Sequence, residues 1–186
     1  MAFRRGFKAE AERIALEVRE RIGLSATDRL DVEAVCEHYD IALLKMSELP
    51  CDCSLFIGAG RSSFSAVTVP CAAKTAIVHN DSHHPYRQRS NICHELAHCF
   101  LGHQACAVFD DKGERVHDGG IEAEANFLGG ALLLPHAAAM HIFMSSLLSR
   151  AQSLYGISRP MLEFRLRASG AEAHFRNKMR KLKTTA

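Results

Sequence analysis

Hydrophobic and polar positions follow a helical period at the start of the chain. In residues 8–22 the apolar side chains recur at intervals of three and four, at Ala11, Ile14, Ala15, Val18 and Ile22. This spacing predicts an amphipathic helix that Gly23 ends. Asp31 is a typical N-cap residue and predicts a second short helix with Val32, Val35, Cys36 and Tyr39 facing inward.

Short apolar runs replace the helical period further along the chain. Four runs are bounded by glycine, proline or asparagine, and they cover residues 41–44, 54–57, 64–69 and 75–79. Their length and composition predict β-strands. The helical period then returns, with Ser90 or Asn91 as the N-cap of the next helix and Gly102 at its end. Helices, a small antiparallel or mixed sheet and then further helices together make an α+β fold.

Length and composition limit the architecture and the setting. A chain of 186 residues fits one domain, which we place at residues 1–170, followed by a basic tail at 171–186. No stretch approaches the ~20 consecutive apolar residues that a membrane helix needs, and no signal peptide is recognisable. The seven cysteines are therefore expected to be reduced thiols in a cytoplasmic protein.

Basic charge is concentrated at the C-terminal end. The chain carries a net charge of +2, whereas residues 171–186 contain five lysines and arginines against the single acidic Glu172. Such a tail can bind nucleic acid, but we expect a solvated and frayed terminus. Residues 149–166 predict two helices joined by a glycine turn, as in DNA-binding proteins. Pro160 and Met161 stand where base-reading side chains would be needed, so we favour a hairpin packed on the core over DNA contact.

The strongest chemical signal is the motif HELAH at positions 94–98. On a helix, His94 and His98 are four residues apart and lie on one face, where two imidazoles can bind one zinc ion. Glu95 is rotated by one position, so it would reach a water on the metal and not the metal itself. Zinc lowers the pKa of that water to about 7, and Glu95 would pass its proton to the leaving amine of a cleaved peptide.

A catalytic zinc ion needs a third protein ligand. His103 follows the motif, but the pattern HExxHxxGxxH fails because positions 101 and 104 hold Leu101 and Gln104. The spacing therefore places His103 past the end of the helix, beside the site or on the surface.

The following helix is the better source of that ligand, and it is expected to end before Pro135. Glu124 falls on its apolar face with Phe127 and Leu128, whereas Glu122 lies off the centre of that face. A buried carboxylate is costly unless a cation meets it. We therefore predict Glu124 as the third zinc ligand, with Glu122 as the alternative.

These motifs resemble the ImmA/IrrE family of metallopeptidases. The resemblance runs from about Ala9 to Gly170, and HELAH at 94–98, EAEAN at 122–126 and LLLP at 132–135 carry it. It implies a gluzincin-like member of the zincin-like folds, with His94, His98 and a downstream glutamate on zinc. It also implies an endopeptidase that cuts a transcriptional repressor with a helix-turn-helix domain, in mobile elements or in stress responses.

The sequence also departs from that family. Many members carry an N-terminal DNA-binding domain, for which residues 1–40 are too short, so the chain resembles the stand-alone form. Gly129 and Gly130 replace the usual alanines, and we interpret them as a place where the helix with His94 crosses closely. His117, in the long polar loop at 104–120, and Tyr86 are candidates for steadying the oxyanion.

One further expectation concerns the cysteines. The CxC pair at 51–53 with Cys71 predicts structural thiols more readily than a second metal site.

The alternative to a peptidase is a DNA- or repressor-binding regulator whose zinc is not catalytic. Glu95 discriminates between the two functions, because a structural zinc ion needs no base beside an open coordination position.

Overall fold

The computed structural model describes residues 3–57, 64–71, 74–103 and 119–184. Its helices are α1 Phe7–Arg21, α2 Val32–His38, α3 Ser54–Ile57, α4 Pro85–Phe100, α5 Gly119–Leu133, α6 His136–Met144, α7 Ala151–Tyr155, α8 Arg159–Ala168 and α9 Ala171–Thr184. Its strands are β1 Ile41–Lys45, β2 Ala66–Cys71 and β3 Lys74–His79, and a short 3-10 helix covers Met46–Glu48. Helices, a small sheet and then helices confirm the α+β prediction.

The sheet is mixed, with strand order β1-β3-β2. Ile77 of the central strand pairs with Leu43 of the parallel strand β1 and with Thr68 of the antiparallel strand β2. Ala76 and Ile77 of β3 are buried, and β3 is the central strand of the sheet. Strand β2 forms one edge of the sheet and packs beside α4. This edge therefore lies next to the helix that carries the HELAH motif.

One expected strand is a helical turn. Residues 54–57 form α3, because Asp52 accepts a hydrogen bond from the backbone N–H of Ser54 at 2.9 Å. The N–H groups of Phe56 and Ile57 then turn back to the carbonyl of Cys53. A run of four apolar residues carries no period that separates strand from helix, so local capping decides its conformation.

Helix α4 begins earlier than the sequence predicts. Its N-cap is His84, whose ring Nδ1 accepts from the N–H of Tyr86, and Pro85 occupies the first helical turn. Ser90 and Asn91 are therefore interior residues of the helix. Its end is as predicted, because Gly102 adopts a left-handed φ of 66° just after it.

The longer helix gives Arg89 a structural role. Its guanidinium donates to the carbonyls of Leu30 at 2.7 Å and Gly156 at 3.1 Å. Arg89 thus joins α4 to the segment before α2 and to the turn after α7.

Helices α4 and α5 cross closely at Gly129, as the glycine pair predicts. A Cβ atom at Gly129 would lie 2.9 Å from the backbone carbonyl oxygen of Cys93 and 3.1 Å from the Cα of His94. Gly130 has a different neighbour, because a Cβ there would meet Arg165 and Phe164 of α8. The close approach of the HELAH helix therefore explains Gly129 only.

Replacing Gly129 with alanine is expected to weaken metal binding and stability together. Alanine gains ~1 kcal/mol in helix propensity, but the clash with α4 backbone costs about 1–3 kcal/mol and displaces His94. Urea denaturation and zinc titration of the variant measure the two effects. Asn126→Ala is the matched control on the same helix, since Asn126 is exposed and its replacement should leave zinc affinity unchanged. Unchanged zinc affinity in Gly129→Ala would contradict a tight crossing.

Two buried arginines hold the C-terminal end of α5. Arg19 donates to the carbonyl of Leu132 at 2.9 Å and also contacts that of Leu133. Arg165 donates through Nε to the carbonyl of Leu134 at 2.9 Å and pairs with the carboxylate of Glu12. The last carbonyls of a helix have no partner within it and carry its negative dipole end, so two cations stabilise them. These contacts fix α5 against α1 and α8.

The C-terminal helices pack on the core. Tyr155, Leu162 and Leu166 of α7 and α8 are buried, as expected for a hairpin packed on the core. The basic tail is helical where the structure describes it, and the ring of Phe175 in α9 stacks on that of Phe143 at 5.2 Å. The expected frayed terminus is therefore wrong for this part of the tail, because an aromatic contact and the buried Ala171 anchor it.

None of the described helices alone has both the length and the apolar character to cross a membrane. By those two criteria alone, the bent pair Gly119–Leu133 and His136–Met144 passes when taken together.

Candidate metal centre

The two histidines of the HELAH motif turn their rings toward one point. The Nε2 atoms of His94 and His98 are 3.1 Å apart on one face of α4. Both rings are mostly buried, with side chains 24% and 18% exposed. The four-residue spacing thus brings two imidazole nitrogens together, as predicted.

Glu122 completes the group from the first turn of α5. Its Oε2 lies 3.3 Å from Nε2 of His94, and its Oε1 lies 3.8 Å from Nε2 of His98. One ligand atom from each of the three residues lies within 4.8 Å of the others. Two imidazole nitrogens and one carboxylate oxygen suit zinc, with a coordination position left open. The residues therefore fit a single divalent cation.

Glu124, the predicted third ligand, does not join this group. Its Oε2 faces Nε2 of His103 at 3.9 Å, and its Oε1 faces Nε of Arg4 at 3.3 Å. The side chain is 16% exposed, less than the 37% of Glu122, so the expected burial is correct. The carboxylate is met by His103 and Arg4, and the alternative ligand, Glu122, lies beside the two histidines.

A signal for Glu122 was present in the sequence. Glu122 and Gly129 are seven residues apart, which brings them within about 20° of the same helix face. Because Gly129 marks the face that touches α4, Glu122 lies on that face too. Glu124 is two residues further on, about 200° around the helix, and points away from His94. The apolar stripe indicates the buried side of α5, whereas the glycine indicates the side toward α4.

Glu95 lies beside the group without joining it. It is 9% exposed, and its Oε2 accepts a hydrogen bond from Oγ1 of Thr68 at 2.7 Å. Thr68 stands on the edge strand β2, so the sheet fixes the rotation of this carboxylate. The sequence did not indicate Thr68, because its partner is 27 residues away on another element.

His103 contacts the site from outside. Its Nδ1 lies 3.0 Å from Nδ1 of His98, on the side of that ring opposite the metal group. Tyr86 lies eight residues before His94 on α4, about 12 Å along the axis, too far to steady an oxyanion at this site. His117 and most of its loop, 104–118, lie outside the described residues.

None of the described cysteines joins the metal group. Cys93 is buried against α5, and burial raises the pKa of its thiol to about 12, so it stays neutral. The Sγ atoms of Cys51 and Cys53 are 3.5 Å apart, while the side chain of Cys71 lies outside the described residues. Structural thiols remain the prediction for this pair.

Comparison with known proteins identifies a family match. The family model described as the IrrE N-terminal-like domain matches residues 36–167, which is more than half of the chain and includes both site helices. No curated protein matches the sequence.

Proposed function

Because the chain belongs to the ImmA/IrrE family of metallopeptidases, we propose that it is a zinc-dependent endopeptidase that cuts a regulatory protein. The family match confirms the resemblance and the zincin-like fold that it implies. The observation that carries the proposal is the convergence of His94, His98 and Glu122, with the buried Glu95 beside them.

We assign the three converging residues as the metal ligands, with Glu122 in place of Glu124. A zinc ion held there would polarise a peptide carbonyl and lower the pKa of a water molecule. The arrangement matches a catalytic site with three protein ligands and one open position. The donor set of two imidazoles and a carboxylate supports zinc as the metal.

We assign Glu95 as the general base. Its carboxylate accepts a proton from the attacking water and delivers that proton to the nitrogen of the leaving amine. The hydrogen bond from Thr68 holds one oxygen, which limits rotation of the carboxylate and keeps it ready for the reaction. Burial excludes competing solvent from the proton transfer.

The position of strand β2 supports cleavage in the interior of a polypeptide substrate. Strand β2 lies at the edge of the sheet, and its Thr68 touches Glu95. An extended peptide that paired with the outer edge of β2 would pass directly by the base. Such pairing uses backbone groups and lets the substrate continue at both ends, as an endopeptidase requires.

We propose a repressor with a helix-turn-helix domain as the substrate, on the basis of the family. The alternative is a DNA- or repressor-binding regulator with a non-catalytic zinc ion, and the basic α9 is the feature that favours it. The buried Glu95 and the packing of α8 on the core favour the peptidase.

Cleavage assays with helix-turn-helix repressors from the same genome, those encoded near this gene first, test the proposal. We expect cleavage by the zinc-loaded protein, loss on chelation and recovery when zinc is restored. Glu122→Gln should weaken zinc binding by more than about 100-fold. Replacing a residue that only hydrogen-bonds to a metal ligand already lowers metal affinity 10–100-fold. Glu163→Gln is the matched control, since this glutamate is exposed on α8 and its replacement should leave zinc affinity unchanged. DNA binding at physiological salt without any cleavage would favour the alternative.

A further inference from the structure

We propose that His103 and Glu124 are positioning residues that hold His98 in the orientation and tautomer needed to bind the metal. This inference rests on the proposed function in one respect, namely that His98 is a ligand. It gives a role to two residues that the metal group leaves out, including the second glutamate of the EAEAN segment.

The end of α4 brings His103 back against His98. Gly102 takes a left-handed φ of 66°, and its N–H donates to the carbonyl of Cys99 at 3.2 Å. The N–H of His103 then donates to the carbonyl of His98 at 3.0 Å. This pair of bonds is the Schellman motif, and it reverses the chain over the last helical turn. The ring of His103 therefore contacts that of His98 edge to face, with centroids 5.0 Å apart.

The two nitrogens of His98 face different partners. Its Nε2 points to His94 and Glu122, while its Nδ1 lies 3.0 Å from Nδ1 of His103. A histidine that binds a metal through Nε2 must offer a lone pair there, so its remaining proton is on Nδ1. His98 then donates to Nδ1 of His103, which in turn must carry its own proton on Nε2.

Glu124 favours this arrangement of protons. Its Oε2 lies 3.9 Å from Nε2 of His103, the nitrogen that carries the proton, and Arg4 lies 3.3 Å from its other oxygen. The carboxylate attracts the N–H of His103 and disfavours the tautomer with the proton on Nδ1. Both side chains are mostly buried, 12% and 16% exposed, which strengthens this electrostatic preference. Carboxylates behind metal-bound histidines are a general means of fixing ligand orientation.

Two variants of His103, one that keeps a hydrogen-bond acceptor and one that keeps the ring shape, separate a positioning role from a packing role. Asparagine places an oxygen near the position of Nδ1 and can still accept from His98, whereas phenylalanine keeps the ring shape without a nitrogen. We expect His103→Phe to weaken zinc binding 10–100-fold and His103→Asn to weaken it less than about threefold. Zinc affinity is measured by competition with a chromogenic chelator, with cobalt absorption reporting the ligand geometry.

The controls distinguish this role from a structural one. The melting temperature without metal should stay the same in His103→Phe and in His141→Phe, a variant at an exposed histidine of α6. Adding Glu124→Gln to His103→Phe should cause no further loss of zinc affinity, because both act through one chain of contacts.

The outcomes also separate this inference from the peptidase proposal. Wild-type zinc affinity in His103→Phe, or equal losses in the phenylalanine and asparagine variants, would overturn the positioning role. A wild type that binds no zinc would overturn it as well. If wild type binds zinc and the variants behave as expected, but no repressor is cut, the proposed function fails and the positioning role stands.

Discussion

Replacing Glu95 with glutamine is expected to abolish peptide cleavage while the chain still binds one metal ion. Glutamine has nearly the same shape, and its carbonyl oxygen can accept the hydrogen bond that Thr68 now donates to the carboxylate. It cannot accept the proton of the attacking water. General base catalysis contributes about 10²–10⁴-fold, so the rate should fall at least that far.

The measurement pairs cleavage rate with metal content. Purified wild type and variant are loaded with zinc, the bound metal is counted, and cleavage of the repressor is followed by mass spectrometry. Glu163→Gln is the matched control, since this glutamate is exposed on α8 and pairs only locally with Arg159. Full activity of Glu95→Gln with intact zinc would remove the proposed mechanism.

Replacing Arg165 with methionine is expected to cause the largest loss of stability, about 3–5 kcal/mol. The side chain is fully buried, and its loss leaves the carbonyl of Leu134 without its donor and the carboxylate of Glu12 without its cation. Glu12 also accepts from the backbone N–H of His136, at the start of α6. Methionine fills similar volume, so the cost comes from unpaired polar groups more than from a cavity.

Urea denaturation measures this prediction through the midpoint and slope of unfolding. Arg159→Met is the matched control on the same helix, because its exposed ion pair with Glu163 should contribute less than about 1 kcal/mol. Adding Glu12→Gln to Arg165→Met removes the uncompensated charge while keeping an acceptor for His136, and should recover part of the loss. A cost below about 1 kcal/mol for Arg165→Met would show that α5 does not depend on this contact.

Core contacts along α5 also influence the metal site, because α5 carries Glu122. The two buried arginines hold the C-terminal end of α5, and Glu122 lies near its other end, ~16 Å away along the axis. Gly129, between the two, touches the backbone of α4 at Cys93 and His94. The position of the carboxylate relative to the imidazoles is therefore set by core contacts far from the metal.

Local sequence patterns predicted the helices and strands that depend on residues close together in the chain. The apolar period of α1, the Asp31 cap of α2 and the apolar runs of β1 and β3 each depend on neighbours in the chain, and the structure has these elements. Residues 54–57 form a helical turn and not the expected strand, because four apolar residues leave helix and strand undecided. Helix α4 begins earlier than its sequence predicts, because histidine is a less typical N-cap than serine or asparagine.

The HELAH motif also determined its own geometry. A four-residue separation on a helix leaves little freedom, so His94 and His98 had to converge and Glu95 had to stand to one side. The sequence by itself therefore determined the two histidines of the group, the adjacent carboxylate, and the family to which the chain belongs.

Only the tertiary structure decided which glutamate meets those histidines. The choice between Glu122 and Glu124 depends on how α5 rotates about its axis against α4, and a rotation involves contacts along the whole helix. Gly129 against α4 and the buried arginines at the end of α5 set that rotation. These contacts join residues far apart in the chain, so the apolar stripe alone could identify a buried carboxylate but not its partner.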